Sequence, residues 1–139
     1  MSTLLAKAEP LIAAGHSITA PLMKLSAPLS FWGGVDPATS RIIQVRHPEC
    51  GQMIRDVVLA LPGTIGSSSS SAVLLELIRL QIAPKALLLH EPDAILLIGC
   101  VVGREMGWQA PPAFRLAAGQ QAKLPSGPIT IDMSGSITS

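Results

Sequence analysis

Five consecutive serines, Ser67 to Ser71, form the densest run of hydroxyls in this chain. They follow Gly66 and precede an apolar stretch that runs to Pro84. A serine at the start of a helix can accept a hydrogen bond from an unpaired amide of the first turn. The free amides there and the positive end of the helix dipole also favour an anion. The stretch reads LPGTIGSSSSSAVLLELI. It lacks the Gly-Lys-Ser/Thr of a P-loop, the Gly-x-Ser-x-Gly of a hydrolase elbow and the G-x-G-x-x-G of a dinucleotide loop. The plainer alternative is a flexible loop in which one serine only caps the helix.

Other residues able to do chemistry are sparse. Phe31-Trp32 stands beside Gly33-Gly34. Such a group is either a loop that brings backbone close to a ligand, with the rings as wall, or a plug that anchors a long loop to the core. His47 precedes Pro48, which holds it in extended backbone, and a lone histidine there is more often a packing residue than a ligand. His90 and Glu91 follow an apolar run, Ala86 to Leu89. Cys50 and Cys100 are isolated, with no C-x-x-C and no histidine at ligand spacing. Neither a disulfide framework nor a self-contained metal site follows from them. An iron–sulfur cluster typically needs three or four cysteines, so this chain alone does not supply one.

These groups need elements to position them. Val57 to Leu61 has the length and composition of a strand buried on both faces, and Pro62-Gly63 ends it. The helix after the serines is apolar except along Ala72, Glu76, Arg79 and Ala83, its expected exposed row. Lys85 to His90 (KALLLH) reads as a second strand, so pairing is parallel with a right-handed crossover. Asp93 can cap a short helix through Gly103, and Ala113 to Leu116 reads as a third parallel strand. Earlier, Leu11 to Ala13 and Ile18 to Leu25 read as short strands, the second edge-like because of Pro21. Arg41 to Val45 reads as another. Gln121 to Leu124 and Pro128 to Met133 read as a closing hairpin around Ser126-Gly127, followed by a small polar tail that frays. The expectation is one α/β domain, residues 1–139, with a central βαβαβ unit and β-rich ends. The carboxyl edge of its parallel strands, where ligands bind in open α/β sheets, carries the serines, His90 and Glu91.

Composition bounds the partners. Charged residues make up 14% of the chain, against a usual share of about 25%. So few charges leave an apolar surface that a partner protein would cover. Net charge is +1 with no basic run, which argues against nucleic acid and against anionic membrane. The apolar run Ala94 to Gly103 is far shorter than the roughly 20 residues of a spanning helix. The N-terminus, with Glu9 and Pro10, does not read as a signal peptide, and a cytoplasmic location is expected.

PLSFWGGVDPATSRI, HPECGQ, LPGTIGSSSSSAVLLELI and EPDAIL, in this order and spacing, resemble the small subunit of the aconitase X family from about Ala20 to Ile131. The resemblance implies a swivelling β/β/α domain, an aconitase-like flap that closes over cluster-bearing domains. It implies a hydro-lyase that removes water from a small hydroxy acid and works only with a large subunit, as a heterodimer. Iron or an iron–sulfur cluster would then lie in that large subunit, with no cofactor bound by this chain alone. In aconitases proper the matching loop is Gly-Ser-Ser-Arg-Glu, with the first serine as base and the arginine on a substrate carboxylate. Ser67 falls on the base position and Ser69 where the arginine would be. By the same resemblance Gly66, Ser68, Ser69, Phe31, Trp32, Gly33 and Gly34 would bind substrate. Without the arginine, a tricarboxylate would not be held in the aconitase manner. The implied reaction is dehydration of cis-3-hydroxy-L-proline to pyrroline-2-carboxylate, with mevalonate 5-phosphate dehydration as the alternative. A non-catalytic anion-binding or regulatory subunit is the reading from another class.

Overall fold

The structure, a computed structural model, describes residues 3–139. The strand before the serines is β4 (Val58–Leu61), with all four residues buried. It leads into α1 (Ser70–Arg79), then β5 (Ala86–Leu89), α2 (Ala94–Glu105) and β6 (Ala113–Arg115). β4 pairs with β5 and β5 with β6, all parallel, so the expected βαβαβ unit is present. Side chains alternate as the pleat requires. Leu59, Leu61, Leu87 and Leu89 face the helices, and the smaller set Val58, Ala60, Ala86 and Leu88 faces the other way. Each leucine so enclosed stabilises the fold by about 1.5–3 kcal/mol.

Both ends of the chain extend this unit into one sheet. β1 (Leu4–Lys7), β2 (Glu9–Ile12), β3 (Ile18–Lys24), β7 (Pro128–Ile131) and β8 (Ser136–Thr138) give an eight-stranded order β1-β8-β7-β3-β4-β5-β6-β2. β1 and β2 are separated in the chain only by Ala8, yet they occupy opposite edges of that order. The sheet must therefore curl until its edges meet. Ala8, Ile18, Ala20, Phe114, Ile129, Ile131 and Ile137 fill the inside of the curl, while α1 and α2 cover the outside of the parallel strands. The result is a curled β layer with helices outside it, the swivelling β/β/α arrangement expected.

Several boundaries differ from the sequence reading. β3 is central, not an edge. Ile18–Pro21 pairs with β7 and Leu22–Lys24 with β4, so Pro21 stands opposite Pro128 where the strand passes from one neighbour to the other. A missing N–H is harmless between two ladders. Arg41 to Val45 is no strand: Arg41 and Ile42 make single bridges to Met53 and Val35. The stretch expected as the first arm of the closing hairpin is α3 (Ala118–Lys123). The hairpin is instead β7–β8, turned by Asp132 to Gly135, and the polar tail is a paired strand held by β1 and β7.

Candidate active site

The serine run occupies the turn between the carboxyl end of β4 and the start of α1. The five serines are not equivalent. Ser67 Oγ accepts the Ser69 amide at 3.2 Å, and the Ser67 carbonyl accepts the Ser70 amide at 3.1 Å. Ser69 is the N-cap residue by backbone, but its side chain caps nothing. Ser70 is fully buried, with its hydroxyl unpartnered among the described residues. Ser71 Oγ reaches back to the Ser68 carbonyl at 3.5 Å. The serine hydroxyl that receives an amide is that of Ser67. A hydroxyl placed this way keeps its own proton free, and an alkoxide on it would gain from that N–H and from the dipole of α1. In front of Gly66 the space is open: a Cβ there would meet nothing within 4 Å.

Two neighbouring segments are fastened to this loop. Thr64 Oγ1 donates to the Asp93 carboxylate, whose other oxygen accepts the amides of Ile95 and Leu96 at 3.0 and 3.1 Å. Asp93 thus caps α2, as its sequence position suggested, and also ties that helix to the serine loop. A cavity of about 400 Å³ opens here, lined by Thr64, Gly66, Glu91, Pro92, Asp93 and Ile95 together with Ala94. On the other side, Leu29 bridges Thr64: its amide donates to the Gly63 carbonyl and its carbonyl accepts the Ile65 amide. The Phe31–Gly34 segment therefore lies next to the serine loop.

Within that segment the residues part company. Phe31 is fully buried in the core under the helices, so its side chain anchors the loop and lines no cleft, contrary to the sequence reading. The reason is that this long β3–β4 connection needs an apolar anchor to sit on the domain. Trp32 is 59% exposed. Gly33 is exposed with φ +79°, a conformation that favours glycine. Gly34 is buried, and a Cβ on it would fall 2.0 Å from the Ser30 carbonyl oxygen. Its small size serves the loop's own packing rather than a ligand.

The remaining polar groups are structural. His90 Nδ1 accepts the Ala118 amide at 3.0 Å and so holds the start of α3, while Nε2 lies 3.5 Å from a Glu91 oxygen. His47 is buried, bonded to the Ala27 carbonyl and the Glu49 amide. Gln121, missed in the sequence, is buried and donates to the carbonyls of Leu61, Leu88 and Leu116 at the ends of β4, β5 and just past β6. Its only sequence signal was a glutamine among short apolar residues. Burial pushes the Cys100 thiol up to about 12 despite nearby Arg104, so it is unreactive at neutral pH. Among the described residues no three His, Cys, Asp or Glu side chains come together to hold a metal. The donor set of the described residues therefore does not fit an iron–sulfur cluster.

Comparison with known proteins places this geometry. Residues 7–135 match the aconitase X swivel domain family. The chain is 44% identical over 97 residues to the cis-3-hydroxy-L-proline dehydratase of Hypocrea jecorina, covering 70% of this chain and 16% of that protein. It is 37% identical over 103 residues to the phosphomevalonate dehydratase small subunit of Methanopyrus kandleri, covering 74% of this chain and 76% of that one. The fold superposes on Thermococcus kodakaraensis aconitase X (holo-form) with a TM-score of 0.80 and 25% identity, over 96% of this chain and 95% of that one. The chain thus spans about one sixth of the longer dehydratase, the stated 16%, and most of the archaeal small subunit. Since the family match runs through the serine loop and all three helices, the chain belongs to the aconitase X swivel-domain family.

Proposed function

We propose that this chain is the small, swivelling component of a two-part hydro-lyase, and that Ser67 is its general base. The observation that carries this is the Ser69 amide donated to Ser67 Oγ at the head of α1. Dehydration of a β-hydroxy acid requires removal of the weakly acidic proton α to the carboxylate. As an alkoxide held by that amide, Ser67 takes the proton. The C–H electron pair becomes the carbon–carbon double bond, and the hydroxyl leaves from the adjacent carbon. Amide and dipole stabilisation lowers the cost of the alkoxide in a site from which water is excluded. Activation of the leaving hydroxyl, by iron or an iron–sulfur cluster, belongs to the large subunit in this reading. Closure of the curled domain over the partner would exclude the water. The exposed stripe Ile95, Ile98, Val101, Val102 and Met106 along α2 supports the presence of such a partner. Two unpaired cysteines, Cys50 and Cys100, fit a reducing, cytoplasmic setting.

For substrate, we favour cis-3-hydroxy-L-proline. The loop from Gly66 to Ser70 carries no cation, and the adjoining cavity presents Glu91 and Asp93. Such a mouth accommodates an ammonium-bearing amino acid. The similarity to the Hypocrea enzyme points the same way. Mevalonate 5-phosphate is the second reading, favoured by the separate small-subunit length of the Methanopyrus relative. The test is to purify the chain alone and with its large subunit, and to assay both substrates. No turnover by the chain alone and dehydration of hydroxyproline by the pair are expected. Turnover by this chain without a second polypeptide would overturn the two-part reading, and exclusive turnover of mevalonate 5-phosphate would overturn the substrate.

A further inference from the structure

A cavity of about 530 Å³ lies at the amino ends of the parallel strands, the edge opposite the serine loop. Asp56, just before β4, Lys85, just before β5, and Arg104, at the end of α2, supply its charges. Lys85 Nζ is 3.8 Å from Asp56 Oδ1, a loose and exposed pair that water or a ligand can replace. The Arg104 guanidinium donates to the Ala13 carbonyl, which leaves it further N–H groups to offer. Gln81 and Gln109 add carboxamides, and Pro84, Pro111 and Pro112 add an apolar wall.

Backbone conformation sets this cavity apart. Among the described residues the non-glycine positions with positive φ are Ser40, Asp56 and Gln81. Two of them, Asp56 at +60° and Gln81 at +61°, line this one cavity. Gln81 follows the last turn of α1, where the Ile82 amide returns to the Leu77 carbonyl. Glycine adopts that conformation without steric cost and is the usual residue there. Aspartate visits that conformation more readily than most residues, so the strain is at Gln81, a long carboxamide placed at the cavity mouth.

We propose that this cavity binds a small amino acid, its carboxylate on Arg104 and Lys85, its ammonium on Asp56 and its apolar body against the prolines. Both signs of charge are present at one mouth, and the volume admits a ligand of that size with water around it. The site is independent of Ser67 chemistry, so it can be tested on the full chain without turnover.

The probe is L-proline, titrated into the ¹⁵N-labelled chain by NMR, with tetrahydrofuran-2-carboxylate and pyrrolidine as single-charge comparators. Saturable shifts at Asp56, Gln81 and Lys85 are expected, with a Kd of about 1 mM or tighter and about tenfold weaker binding of either comparator. Asp56→Asn and Lys85→Met should each weaken L-proline about tenfold. Gln81→Gly should raise the melting temperature by relieving strain while weakening binding. The proposal is overturned by any of four results: no saturation up to about 50 mM, shifts centred on Ser67 to Ser71, equal binding of a single-charge comparator, or unchanged affinity in both Asp56→Asn and Lys85→Met.

Discussion

Gly99→Ala tests whether the packing of α2 on α1 positions the serine loop. A Cβ at Gly99 would lie 2.8 Å from the Ser71 carbonyl oxygen and 3.4 Å from Leu74 Cβ. An ordinary non-bonded contact is about 3.5 Å, so the two helices must part by several tenths of an ångström. Backbone cannot swing aside as a side chain can. Overpacking of this kind costs about 1–3 kcal/mol, and replacing a helical glycine by alanine returns about 1 kcal/mol. The net loss is about 1 kcal/mol, or roughly 3–5 °C in Tm for a domain of this size. Because Ser71 sits one turn from Ser67, the displacement should also reduce turnover of the assembled enzyme. A misplacement of about 1 Å costs about 10²-fold, so a smaller shift predicts roughly tenfold. Gly103→Ala is the control. Its Cβ would meet the Ile78 Cγ2 methyl at 3.1 Å and Ala110 Cβ at 3.4 Å, contacts that ask for a smaller adjustment than the backbone clash at Gly99. Any loss of stability should be smaller than in Gly99→Ala, and turnover should be kept. Thermal denaturation by circular dichroism and steady-state kinetics read both variants. A Gly99→Ala protein that melts above wild type with full turnover would refute the reasoning.

Phe31→Ala should destabilise the chain by about 3–5 kcal/mol in urea denaturation, since the ring is wholly enclosed. Trp32→Ala should change stability by no more than about 0.5 kcal/mol while raising KM in the assembled enzyme; equal effects of the two on folding would contradict the division between them. Alkaline titration should expose Cys100. Burial favours its neutral thiol, so above the ordinary thiol range the unfolded chain releases a proton that the folded chain keeps. Stability is then intact below about pH 8.5 and falls as pH rises, by up to about 1.4 kcal/mol per unit, until about 12. The chain has no tyrosine to add to this slope. Cys100→Ala should flatten it, and an unaltered slope would show that the thiol is not responsible.

The parts of the fold legible in the sequence were those fixed by short-range chemistry. Apolar runs bounded by Pro62-Gly63, Pro84 and Pro111-Pro112 marked the three parallel strands, and Asp93 announced α2 by its capping position. What failed depended on distant partners. β1 and β8 pair across nearly the whole chain, and neither carries an internal signal strong enough to stand alone. Pro21 looked like an edge residue because its position between two ladders is set by β4 and β7. Gln121 to Leu124 alternates passably for a strand, yet the helix-forming Ala, Gln and Lys of that stretch prevailed. At the site, Gly66 and Ser67 stood out through the resemblance to the aconitase loop, not through spacing. Sequence spacing alone could not separate Phe31 from Trp32, nor show that Ser67 rather than a later serine takes the amide. Those distinctions depend on which way each side chain faces.

Turnover and substrate α-proton exchange by the assembled Ser67→Ala enzyme test the central claim most directly, beside Ser68→Ala and Ser70→Ala. Losing the Ser69 amide's acceptor costs about 1 kcal/mol of stability, so the variant should fold, assemble and bind substrate. Both rates should fall by about 10²–10⁴, the contribution of a positioned base, while Ser68→Ala stays near wild type. Exchange and turnover within a few-fold of wild type in Ser67→Ala, with Ser68→Ala or Ser70→Ala inactive, would contradict the assignment.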